Sequence, residues 1–130
     1  MKAADQTLAG VRILIAEDDA IQALDVREIL RQADAEIVGP VPTLEQALAM
    51  IRAFPVSAAL LDVNLRDGDV FPAARALQEH GAGIVFYTGY AAVDSLRRDW
   101  PSARVLTKPT PPRRLISTMY AAANPTVDNG

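Results

Sequence analysis

Cysteine is absent from the 130 residues, so neither disulfides nor thiolate metal sites contribute to what this chain does. Long apolar runs are absent too: none approaches the ~18 residues that a membrane-spanning helix needs. The first residues, Met1-Lys2-Ala3-Ala4-Asp5-Gln6-Thr7, lack the apolar stretch of a signal peptide. The simplest location is therefore the cytoplasm, with no membrane partner. Basic runs are missing as well. Proteins that bind nucleic acid carry a basic patch or stripe; here the net charge is −3, which suits a protein surface or a metal ion better than a polyanion. No internal repeat and no linker to a second domain is visible. The length fits one domain of the common ~100–150-residue size, and a 50% hydrophobic content is enough for a real core.

What is present is a pair of short apolar runs that end in acids. Val11-Arg12-Ile13-Leu14-Ile15-Ala16 leads into Glu17-Asp18-Asp19. Ser57-Ala58-Ala59-Leu60-Leu61 leads into Asp62, followed by Val63-Asn64-Leu65-Arg66-Asp67-Gly68. If the two runs are neighbouring parallel strands, several carboxylates meet at one edge of a sheet. Carboxylates that close repel one another unless a cation sits among them. Hard oxygen ligands of this kind suit Mg²⁺, which takes one or two carboxylates plus phosphate oxygens. The pattern points to Mg²⁺-assisted phosphoryl transfer with Asp62 as acceptor.

The rest of the chain supplies the sheet. Strands are expected over 11–16, 35–39, 58–62, 83–88 and 104–107, the second closed by Pro40. Between them, Ala23, Val26, Leu30 and Ala33 recur at helical spacing. Thr43 with Gln46 three residues later makes a capping-box pattern for the next helix. Residues 66–70 read as a loop with a Gly hinge. Pro72 suits the first turn of a helix that stops at His80-Gly81, and Pro111-Pro112 opens a last helix to about Ala123. Residues 91–100 carry few helix-start signals. Strands alternating with helices argue for an α/β fold, a parallel sheet with helices on both faces. The expected layout is a flexible N-terminus over 1–9, one domain over 10–123 and a flexible tail over 124–130.

Glu17, Asp18, Asp62, Thr88 and Lys108 all fall just past predicted strand ends, although they lie far apart in sequence. Ligands of open parallel sheets bind at that edge, where the strand order reverses. Plainer readings exist for single residues. Acids favour the first turn of a helix, which accounts for Asp19, and Asp67 and Asp69 read as loop and cap residues. His80 reads as a helix-end residue facing the dipole, Phe86 as core and Trp100 as partly buried packing. Tyr90 fits an exposed partner anchor and a loop-packing residue equally well.

Taken together, Glu17-Asp18 after strand one, Asp62 after strand three, Thr88 after strand four and Lys108-Pro109 after strand five resemble the receiver domain of two-component response regulators over about residues 11–123. The resemblance implies a single-domain, doubly wound five-stranded parallel sheet in the flavodoxin-like order 2-1-3-4-5. It implies that Asp62 accepts a phosphoryl group from a phosphohistidine of a histidine kinase or histidine phosphotransfer protein. Asp18 and Asp62 would bind Mg²⁺, with Glu17 acting through water and Asn64 through its backbone carbonyl. Thr88 and Lys108 would hold phosphoryl oxygens, and the Lys108-Pro109 bond would be cis. Such a domain catalyses only its own phosphorylation and dephosphorylation. The chain departs from the common pattern at Val105, where most receivers carry an aromatic ring, and at Arg66, where many have proline. The run Phe86-Tyr87-Thr88-Gly89-Tyr90 resembles the Phe-Ala-Thr-Gly-Tyr subgroup of single-domain receivers, with Tyr87 in place of Ala. Without the ring at 105, the signal is expected to leave through Gly89 and Tyr90.

A stand-alone receiver, monomeric or weakly dimeric, is the expectation, because Met1 and the polar tail read as the ends of a whole chain. Its output would be contact with a downstream protein, a phosphoryl relay or a phosphate sink. A haloacid-dehalogenase-type phosphatase also uses an Asp nucleophile with Mg²⁺, but needs a second Asp as general acid where this chain has Asn64. A nucleotide- or flavin-binding domain would show a Gly-rich turn after strand one, the electrostatic opposite of Glu17-Asp18-Asp19. A degenerate receiver that never takes phosphate conflicts with the intact set of site residues.

Overall fold

The central strands are short and apolar because helices cover both of their sides. β1 (Arg12–Ala16), β3 (Ala58–Leu61) and β6 (Gly83–Thr88) are almost wholly buried. With β2 (Glu36–Val41) and β7 (Arg104–Thr107) they form one parallel sheet in the order β2-β1-β3-β6-β7. This is the expected 2-1-3-4-5 order, counted over the five sheet strands. The structure is a computed structural model, and it describes residues 7–124.

Successive strand residues face opposite sides, and the two sets build two cores. Ile13, Ile15, Leu60, Val85, Tyr87 and Leu106 meet α1 (Ala20–Gln32) and α5 (Pro112–Ala123). Leu14, Ala59, Leu61, Ile84 and Phe86 meet α2 (Leu44–Ala53), α3 (Phe71–Glu79) and α4 (Val93–Asp99). On the second face Phe71, Phe86 and Trp100 form an aromatic cluster with ring centroids 5.6–5.9 Å apart. Gly83 is required where β6 passes α5, because a Cβ there would collide with the Ala122 carbonyl.

Helix starts follow local chemistry. Asp19 accepts the Ile21 and Gln22 amides at 3.0 Å each, and Thr43 accepts the Gln46 amide at 3.1 Å, so both cap readings hold. His80 ends α3 with Nδ1 2.7 Å from the Ala76 carbonyl. Phe86 and Trp100 are buried.

The structure corrects several expectations. β2 does not stop at Gly39: it continues through a cis Gly39–Pro40 bond to Val41, with a register slip between Leu14 and Ala16. As an edge strand it tolerates the missing N–H of proline. Residues 66–70 are not a plain loop. β4 (Asn64–Leu65) and β5 (Gly68–Asp69) pair as a small antiparallel hairpin. Leu8 is fully buried and its amide donates to the Ala33 carbonyl at 2.7 Å. At the other end Asn124 is tied to the Tyr120 carbonyl through its side chain at 2.9 Å. The remaining terminal residues, 1–6 and 125–130, lie outside the described part. Residues 93–99 do form a helix, but a short one, entered from a 3-10 turn at Tyr90–Ala92 without a side-chain cap.

Candidate functional site

Parallel pairing sets the site. Ala16 lies opposite Leu61, so Glu17 and Asp62 leave adjacent strands at the same level. The Asp62 amide continues the ladder to the Ala16 carbonyl at 2.9 Å. Glu17, Asp18 and Asp62 each offer a carboxylate oxygen, and these atoms lie within 4.8 Å of one another. On the far side of β3, the Lys108 amide donates to the Thr88 carbonyl at 2.8 Å. This extends the β6–β7 ladder one residue past Thr107 and sets Lys108 at the same sheet edge. Lys108 Nζ then donates to Glu17 Oε1 at 2.9 Å and to Asp62 Oδ2 at 3.3 Å. The Lys108–Pro109 bond is cis.

Each expected residue has a definite place. Glu17 is buried, and its Oε2 accepts the Asp19 amide at 3.0 Å. Asp18 and Asp62 are half-buried. Asn64 opens β4, and its amide lies 3.4 Å from Asp62 Oδ1. Thr88 is buried at the end of β6 and is tied to the cluster through its backbone. Gly89 follows the end of β6, and Tyr90, which opens the 3-10 turn after it, is 82% exposed.

Burial pushes the Glu17 carboxyl up to about 7, against the pull of Lys108 and the Asp19 amide and with the aid of the nearby Asp62 charge. For Lys108, burial works against the ammonium. The Glu17 and Asp62 carboxylates outweigh it and hold the group above the ordinary lysine range. The donor set is hard and anionic, small in span and open to one side, which fits Mg²⁺ and not a soft metal. A cleft of ≈ 290 Å³ beside it is lined by Glu17, Asp18, Leu24, Pro40, Pro42 and Arg66. The exposed Ile21 and Leu24 stand on the neighbouring helix α1.

Two residues at the site were not given these roles by the sequence. Asp67 reads as a cap, but its partner lies across the fold. Its Oδ1 accepts the Leu44 amide at 2.6 Å and its Oδ2 the Glu45 amide at 3.1 Å, which caps α2 from the hairpin. These bonds hold its carboxyl below the usual range. The Arg66 amide adds a bond to the Pro42 carbonyl at 3.2 Å, one that proline at this position could not make. Tyr87 is the other: its ring lies under Lys108, with Nζ 5.4 Å from the ring centroid. The only sequence signal for it was a large ring where the resembling subgroup has Ala.

The family model for the response regulator receiver domain matches residues 13–120. The transcriptional regulatory protein PdtaR of Mycobacterium tuberculosis is 30% identical over 117 residues, covering 87% of this chain and 57% of PdtaR. This chain thus spans little more than half the length of the curated relatives it matches. Among solved structures, SdrG of Sphingomonas melonis Fr1 aligns with a TM-score of 0.74 and 34% identity over 95% of this chain and 98% of SdrG. The response regulator PhyR of Brucella abortus shares the fold, with a TM-score of 0.79 at 23% identity over 98% of this chain and 52% of PhyR. The chain belongs to the response regulator receiver domain family.

Proposed function

We propose that this receiver domain takes a phosphoryl group onto Asp62 from a phosphohistidine of a sensor kinase or phosphotransfer protein. The observation that carries the reading is the Glu17, Asp18 and Asp62 cluster with Lys108 bonded to two of its members. An Asp62 carboxylate oxygen attacks phosphorus, and the P–N bond breaks with its electron pair going to the imidazole. The product is an aspartyl phosphate. Glu17, Asp18, Asp62 and the Asn64 carbonyl would hold Mg²⁺, which when bound neutralises charge on the phosphoryl oxygens. The Lys108 ammonium, whose backbone just past β7 is held to Thr88, supplies the second positive charge. The Thr88 hydroxyl, at the end of the adjacent strand, supplies a hydrogen bond.

Docking of the donor is supported by the cleft and by the apolar pair Ile21 and Leu24 beside it, 82% and 62% exposed. Output through a downstream protein contact is supported by Tyr90. A cytoplasmic location fits a kinase partner; among the described residues no helix is long and apolar enough to cross a membrane.

Labelling from a phosphohistidine donor tests the reading. The parent should take label that is stable to acid and labile to base, and Asp62→Asn should take none, because an amide cannot form the acyl phosphate. Full labelling of that variant would sink the assignment.

A further inference from the structure

We propose that Tyr87 is a positioning residue for Lys108, holding the ammonium over its ring face; this rests on the phosphoacceptor reading of the same site. In β6 and β7 Tyr87 lies opposite Leu106, and residues two apart share a face. Lys108 therefore emerges on the same side of the sheet as the Tyr87 ring, one step beyond its partner. Tyr87 is buried, in the same core cluster as Leu106, Leu115 and Met119, so its ring is restrained, whereas a lysine has four rotatable bonds to restrain. Nζ sits 5.4 Å from the ring centroid, inside the range where the negative face of an aromatic ring attracts a cation.

The other two partners of the ammonium, Glu17 Oε1 and Asp62 Oδ2, belong to the candidate metal and acceptor groups. The ring takes no part in either role. It keeps the ammonium at the sheet edge, with N–H groups directed at the acceptor, whichever carboxylate contacts persist. Alanine or an aliphatic residue at 87 offers no such face.

The test is beryllofluoride affinity at saturating Mg²⁺ for the parent, Tyr87→Phe and Tyr87→Leu, together with the NMR shifts of the Lys108 ε-methylene. Tyr87→Met, also flexible and without a ring, replaces the leucine variant if that fails to fold. Tyr87→Leu should bind about threefold to tenfold more weakly and lose the upfield ring-current displacement of the Lys108 signal. Tyr87→Phe should match the parent in both, since the face and not the hydroxyl does the holding. The proposal is overturned if the leucine variant binds as the parent does, if the phenylalanine variant falls with it, or if the Lys108 signal does not move. Should the parent itself fail to bind beryllofluoride, the phosphoacceptor reading is what fails. A parent that binds, with an unaffected leucine variant, removes the role of Tyr87 alone.

Discussion

Where β1 and β3 end, the side chains of Glu17, Asp62 and Lys108 hold one another within hydrogen-bond distance. A capped helix follows β1 and a hairpin bonded to α2 follows β3. Where β6 ends, the chain passes through Gly89 into a 3-10 turn with no buried residue, then into the seven-residue helix α4, which has no side-chain cap and buries only Leu96. Both regions lie on the same edge of the same sheet. The first is over-determined and holds the acidic cluster. The second is under-determined and presents Tyr90. Regions with few buried contacts open at low free energy, so the second region should yield more readily than the first.

The strongest way to break this contrast is to remove what does hold α4. Trp100, just past its end, packs against Phe71 and Phe86. Trp100→Ala should cost about 3–5 kcal/mol of stability, the usual range for a buried aromatic, read by urea denaturation. A loss near zero would show that α4 has an anchor elsewhere.

On the rigid side, Asp18→Asn should weaken Mg²⁺ binding at least about tenfold, since even groups behind a ligand commonly cost 10–100-fold. Titration followed by NMR checks this, and unchanged affinity removes Asp18 from the metal set.

The same region should respond to pH. The Glu17 carboxyl rises from its ordinary 4.5 to about 7 on folding, so between those values the folded chain binds the proton more readily than the unfolded one. Its contribution to metal-free stability is complete below about 4.5 and is lost as pH rises through 7. Mg²⁺ must displace that proton. Its apparent affinity should therefore fall below pH 7 by up to about tenfold per unit, a slope that Glu17→Gln should abolish.

The smallest effect sharpens the other side. Beryllofluoride should raise hydrogen-exchange protection chiefly in residues 89–100, and little in the strand around Val105. Val105 has no ring to move, and a short helix held by few contacts needs only a few kcal/mol of bias. If the main change falls on β7 or α5, the contrast between the regions does not describe the switch.

The sheet and the acidic site were legible because their signals are local. Ile13–Ala16 and Ala58–Leu61 are apolar runs, and Glu17, Asp18, Asp62, Thr88 and Lys108 stand at the ends of strands. The rest depends on partners that periodicity does not encode. Nothing near Asp67 tells that its carboxylate will cap a helix 22–23 positions earlier. Pro40 signalled a strand end, yet tertiary pairing of an edge strand carried β2 past it. Leu8, a lone large apolar residue between Thr7 and Ala9-Gly10, gave no pattern to mark its burial. Tyr87 was visible as an oddity, but its meaning needed the register of β6 against β7.

The hairpin that Arg66 and Asp67 fasten to the start of α2 makes one thermodynamic unit of segments the chain separates. Asn64, at one end of that hairpin, lies beside Asp62; the Leu44 and Glu45 amides, at the other, open a surface helix. By reciprocity of coupling free energy, whatever factor docking of α2 exerts on cation affinity at Asp62, the cation exerts on docking of α2. To the extent that the two are coupled, a contact made on that helix would be felt at Asp62 without touching it.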